Sequence, residues 1–156
     1  MLDDLYREII LDHYRSPRHK GRVEDPDISA RGYNPLCGDD IELTVRLSNG
    51  QIEAVAFDGH GCSISQASAS MLTEAITGKQ LEEALDLAAS VRAMFTGEAD
   101  IDLESLGDLE ALQGVNRYPV RIKCATLAWN ALQVGAANEG GGGNDSENVY
   151  SDEMEV

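Results

Sequence analysis

Asn49-Gly50 separates two stretches in which apolar and polar residues alternate, and this arrangement restricts the fold more than any other local pattern. Ile41, Leu43, Val45 and Leu47 alternate with Glu42, Thr44 and Arg46, as in a strand with one buried face. Asn-Gly supplies the two left-handed residues of a tight turn, so Gln51 to Asp58 reads as the return strand. An antiparallel hairpin brings its outer ends together. Cys37 and Asp39 precede the first strand and Cys62 follows the second, which predicts that the three are near neighbours.

The stretch Asn34-Pro35-Leu36-Cys37-Gly38-Asp39 places a thiol and a carboxylate on either side of a glycine. Pro35 fixes its own φ and biases Asn34 toward an extended conformation, while Gly38 permits a tight turn. Both side chains can then face one point, which is half of a tetrahedral zinc site. Cys62 and Cys124 are the remaining cysteines and would complete an Asp/Cys3 set. Three cysteines make no disulfide framework, so metal binding or thiol chemistry is the expected use. The paired Cys-x-x-Cys knuckles of structural zinc modules are absent, and the fold itself would have to assemble the site.

Ser63 to Thr77 has helical spacing, closed by Gly78, which puts Cys62 at a helix N-terminus that favours thiolate. The last helix is expected to begin near Val120 to Cys124, placing Cys124 in its first turn. His60 is a rival ligand, although alternation along its strand turns it away from Cys62. His13 and His19 lie far from any thiol in sequence and read as structural or solvated. Arg121 and Lys123 are either ordinary surface charges or cations that lower a thiol pKa and bind an anionic sulfur species.

Elsewhere, Leu2, Leu5, Tyr6, Ile9, Ile10, His13 and Tyr14 form one helical face that ends near Ser16-Pro17. Arg15, Arg18, Lys20 and Arg22 are either a solvated helix end or a docking patch for an acidic partner. The segment through Pro26 and Gly32 has no period and reads as loop. A second short helix is expected from Gln80 to about Phe95, and Thr96 to Asn116 as an inserted loop with one short helix. Ala67, Ser68, Ala69 and Ser70 suit close packing, and Trp129 reads as core. At 156 residues the chain is one domain, here 1–138, followed by a Gly-rich linker and an acidic disordered tail over 139–156. No apolar run approaches a membrane span and the first residues are acidic, so a cytoplasmic protein without a secretory signal is expected. The formal net charge of -16 excludes a nucleic-acid partner, whose phosphates need a basic footprint.

Three segments carry a resemblance to the IscU/NifU-N-like iron–sulfur cluster assembly family: Asn34 to Asp39, Gly59-His60-Gly61-Cys62-Ser63-Ile64-Ser65, and Ile122-Lys123-Cys124-Ala125-Thr126-Leu127-Ala128. Lys123 stands where the scaffold proper has a histidine, and the chain carries the insertion before the third motif. Both features resemble the SufU branch. The resemblance implies an α+β fold of IscU/SufE-like architecture, with a small antiparallel sheet of about three strands packed against helices. It implies Zn2+ held by Cys37, Asp39, Cys62 and Cys124. It further implies a zinc-dependent sulfurtransferase whose Cys37 accepts persulfide sulfur from a SufS-type pyridoxal-phosphate-dependent cysteine desulfurase, with Arg121 near the transferred sulfur. A histidine of the partner would take the metal position that Cys37 leaves, and downstream Suf cluster-assembly proteins would receive the sulfur. The alternatives are a scaffold that builds a transient [2Fe–2S] cluster on the same ligands, and a purely structural zinc module.

Overall fold

The computed structural model describes residues 2–96, 103–137 and 147–150. The chain runs through α1 (Leu2–Arg15), β1 (Ile28–Asn34), β2 (Asp39–Ser48), β3 (Gln51–His60), α2 (Ser63–Ile76) and α3 (Leu81–Thr96). A 3₁₀ region (Leu103–Arg117), α4 (Pro119–Ala137) and β4 (Glu147–Tyr150) follow. This is the α+β arrangement expected, with β1, β2 and β3 antiparallel and helices packed against them.

The β2–β3 hairpin turns at Asn49 and Gly50, whose φ values of 54° and 79° are the two left-handed positions that the Asn-Gly pair supplies. Ile41↔Gly59 and Asp40↔His60 pair at its open end, so the segments bearing Asp39 and Cys62 meet as the hairpin argument requires. Ile41, Leu43 and Val45 are wholly buried, and Phe57, Leu72, Trp129 and Leu132 share their core. Trp129 is thus packing, with its Nε1–H donated to Ser68 Oγ at 3.1 Å. The small residues of α2 let α4 approach closely enough for Ser68 Oγ to reach Ala125 O at 2.5 Å.

Four expectations need correction. Ile28–Asn34, read as loop, is a strand that pairs along its length with β2. Its signal is weak because α4 crosses it closely. A Cβ on Gly32 would lie 2.9 Å from the Leu127 side chain, and one on Gly135 would lie 2.7 Å from Ile28. The inserted segment, as far as it is described, is 3₁₀ helix broken at Gly107 (φ 59°), and it seals the core with Leu106, Leu109, Leu112 and Val115. Helix α4 starts at Pro119, where a missing N–H costs nothing, and not near Cys124. Finally, Glu147–Tyr150, assigned by composition to the acidic tail, runs parallel to β1 as a fourth strand, giving the order β3-β2-β1-β4. The glycine run at 140–143 lies outside the described residues.

The basic cluster is largely committed within the fold. Arg18 bonds Asp12 at 2.9 Å, Arg22 bonds Glu42 at 2.7 Å, and Lys20 reaches Gly59 O and Gln66 while lying 4.9 Å above the Phe57 ring. Among the described residues, no helix is long and apolar enough to cross a membrane.

Candidate metal centre

Asn34 and Asp39 close the β1–β2 pairing, so Pro35 to Gly38 form the tip of a hairpin, with Gly38 at φ 70°. Cys37 rides half-buried on that tip, beside Leu36, which is 71% exposed. Asp39 opens β2 and is wholly buried. Cys62 is the N-cap of α2 (φ -70°, ψ 167°), as its position before the helical run predicts. Cys124 is also wholly buried, but in the second turn of α4, so free terminal amides do not act on it as expected for a first-turn residue.

The fold brings the four predicted residues together. Sulfur atoms of Cys37 and Cys124 lie 3.2 Å apart, and ligand atoms of Cys37, Asp39 and Cys124 all lie within 4.8 Å of one another. Cys62 stands outside that tightest triple and joins it by two contacts. Its N–H donates to Asp39 Oδ1 at 2.8 Å, and its thiol shares a hydrogen bond with that of Cys124. That bond is the main reason the Cys62 thiol titrates low, at about 6, helped by the amides of Ser65 and Ile64 and opposed by burial and Asp39. The same bond, with burial, pushes the Cys124 thiol up. A metal held by both sulfurs would require both to be deprotonated.

Two residues of the site were not singled out by sequence. Asn34, wholly buried, directs Nδ2 to Cys124 Sγ at 3.4 Å and lies 3.5 Å from Asp39 Oδ2, while its Oδ1 accepts the Leu36 N–H at 3.2 Å. That last bond is a local side-chain turn that shapes the Cys37 tip, and an Asn before Pro is its sequence signal. Ser65 donates to Asp39 Oδ1 at 3.1 Å from the first turn of α2. Gly61 leaves room for this network, because a Cβ there would collide with Asp39 Oδ1 and lie 2.6 Å from Ser65 Oγ.

Of the two basic candidates, Arg121 is the one that reaches a thiol, with Nη1 3.8 Å from Cys37 Sγ. Nearby thiolates, Cys62 first and then Cys37, raise its pKa. His60 pairs with Asp40 across the hairpin, so it shares the face opposite Asp39 and is exposed, outside the cluster. The donor set fits zinc. The carboxylate of Asp39 is buried and accepts from neutral groups, the Cys62 amide and Ser65, so a divalent cation would supply the missing countercharge. Thiolates together with one carboxylate suit that borderline-soft ion.

Residues 5–125 match the model of the NifU-like N-terminal domain. The chain is 52% identical over 141 residues to the zinc-dependent sulfurtransferase SufU of Bacillus subtilis, covering 90% of this chain and 95% of the relative. It is 46% identical over 132 residues to the iron–sulfur cluster assembly scaffold protein IscU of Streptococcus pyogenes, covering 85% and 82%. Among solved structures, a proposed iron–sulfur cluster assembly scaffold protein for the SUF system from Fervidobacterium islandicum superposes with a TM-score of 0.78 at 34% identity, covering 82% of this chain and 93% of that one. The N-terminal part of a NifU-like protein from Brucella abortus shares the fold, with a TM-score of 0.80 at 20% identity over 91% of this chain and 99% of that one. With the matched span running through all three cysteine segments and the expected sheet-and-helix architecture, the chain belongs to the NifU-like N-terminal domain family of iron–sulfur cluster assembly proteins.

Proposed function

We propose that this protein is a zinc-dependent sulfurtransferase of iron–sulfur cluster assembly that accepts persulfide sulfur from a SufS-type cysteine desulfurase in the cytoplasm. The observation that carries this reading is the unequal anchoring of the four donors. Asp39, Cys62 and Cys124 are tied to β2, α2 and α4, whereas Cys37 sits on a hairpin tip beside a cation and an exposed leucine. The residue free to move is the natural acceptor. The similarity to the Bacillus sulfurtransferase supports the same assignment.

Cys37, Asp39, Cys62 and Cys124 would hold Zn2+, which when bound keeps the thiols deprotonated at neutral pH. The Cys37 thiolate attacks the outer sulfur of the desulfurase persulfide. A Cys37 S–S bond forms, the S–S bond of the donor breaks, and the donor cysteine leaves as thiolate, so no external oxidant or reductant is needed. Arg121, with Nη1 3.8 Å from Cys37 Sγ, would stabilise the anionic persulfide on Cys37. Leu36, Tyr118 and Val120 are large, exposed apolar residues flanking Cys37 and Arg121, a surface suited to the partner that delivers the sulfur. Downstream Suf assembly proteins would then take the sulfur from Cys37.

The second reading is a scaffold for a transient [2Fe–2S] cluster, favoured by the 46% identity to a protein of that name. Lys123 argues against it, since an ammonium side chain cannot replace an imidazole ligand. Cys37→Ser separates the readings. The variant should retain zinc yet accept no sulfur from a loaded desulfurase, and full sulfur acceptance by it would refute Cys37 as acceptor.

A further inference from the structure

A second group of ligating side chains shares no residue with the thiolate site. His13 on α1, Glu74 on α2 and Asp108 in the 3₁₀ region bring one imidazole and two carboxylates within 4.8 Å of one another. His13 is 1% exposed, yet its Nε2 has no hydrogen-bond partner. A buried ring nitrogen left unpaired costs free energy unless something else engages it. That nitrogen points at Glu74 Oε1 and Asp108 Oδ2, at 3.9 and 3.7 Å.

We propose that His13, Glu74 and Asp108 form a second binding site for a borderline divalent cation, with Zn2+ as the reference ion. Tetrahedral N and O donors with bonds of about 2.0–2.2 Å lie about 3.3–3.6 Å apart, so carboxylate movement of at most about 1.5 Å closes the set. Both carboxylates are more than half exposed and can make that movement, and their exposure gives the ion a path from solvent. A pocket of about 180 Å³ lined by Met71, Glu74, Ala75, Leu106, Asp108 and Leu109 adjoins them.

Supporting groups are already in place. Ser70 Oγ lies 2.8 Å from His13 Nδ1 and accepts the Arg18 N–H at 2.9 Å. When Ser70 Oγ also accepts from Nδ1–H, the Nε2 lone pair faces the carboxylates, the tautomer that a bound cation would select. Arg18 Nε lies 3.6 Å from Glu74 Oε2, which leaves Oε1 turned toward His13. Two carboxylates and a neutral imidazole balance a divalent charge, and the absence of sulfur makes this site harder than the Cys37 cluster. An ion here joins α1, α2 and the 3₁₀ region at one point, with Asp108 directly after the kink at Gly107.

The full chain, already loaded with one equivalent of Zn2+, is titrated with further Zn2+ while the imidazole nitrogens of His13 are followed by NMR. The second equivalent should shift His13 Nε2. The variant carrying Glu74→Gln and Asp108→Asn, both surface changes, should need at least about tenfold more Zn2+ for the same shift while keeping the first equivalent. His13 nitrogens that do not move in excess Zn2+, or that move identically in the double variant, would overturn the proposal.

Discussion

Asp39 is both a candidate ligand and the hub that ties β2 to the start of α2. Its removal leaves the Cys62 amide without its acceptor in a buried place and the Ser65 hydroxyl with only Cys62 O. Asp39→Ala should therefore destabilise the metal-free protein by about 2 kcal/mol in urea unfolding, besides weakening zinc binding. An unchanged midpoint would mean that the carboxylate is not the hub. Gly61→Ala tests the same pocket by overfilling it: displacing the Asp39 carboxylate should cost about 1–3 kcal/mol and lower zinc affinity without touching a ligand. Arg121 is exposed, so Arg121→Ala should leave stability unchanged but slow sulfur acceptance by about tenfold, equivalent to about 1.4 kcal/mol in the barrier. Rescue by Lys would indicate that charge alone suffices. Cys37, Asp39 and Cys62 were legible in sequence because a hairpin of fixed register separates them, whereas Cys124, on α4, joins them only through the family resemblance and the cysteine count. Asn34 and Ser65 were not, because an amide and a hydroxyl become site residues only through what a distant segment places beside them.

The elements were legible where one physical signal dominated. The β2–β3 hairpin had both strand alternation and a turn that few other dipeptides can make. Strand β1 had neither, since close passage of α4 demands Gly32, and Asn34 serves the site in place of an apolar residue. The 3₁₀ region follows neither the helical nor the strand period. Leu106, Leu109, Leu112 and Val115 recur every third residue, as a 3₁₀ face requires, and the glycines drew the reading toward loop. The contact among α1, α2 and this region also predicts a pH dependence. Burial, and then Arg18, lower the pKa of His13 below its ordinary 6.5, against Glu74 and Asp108, which raise it. Between the folded value and 6.5 the unfolded chain binds a proton that the folded chain does not. In the metal-free protein this contribution to stability is intact above 6.5 and is lost as pH falls toward the folded value. Urea midpoints measured across that range should fall with pH more steeply for the wild type than for His13→Gln, and parallel curves would exclude His13 as the source.

For the chain as a whole, a net charge of -16 makes association depend on the few surfaces where apolar residues interrupt the acidity. The one beside the thiolate cluster contains Leu36, Tyr118 and Val120. Leu36→Asp should weaken productive docking with the desulfurase by about tenfold in KM, leaving zinc content unchanged. Equal KM values would place the docking surface elsewhere. Cys37 is proposed to take sulfur from the partner enzyme. The direct test is desulfurase turnover with and without the zinc-loaded protein, together with the mass of the Cys37 peptide before reduction. A strong increase in turnover with one added sulfur on Cys37 is predicted, and no increase with an unmodified Cys37 peptide would contradict it.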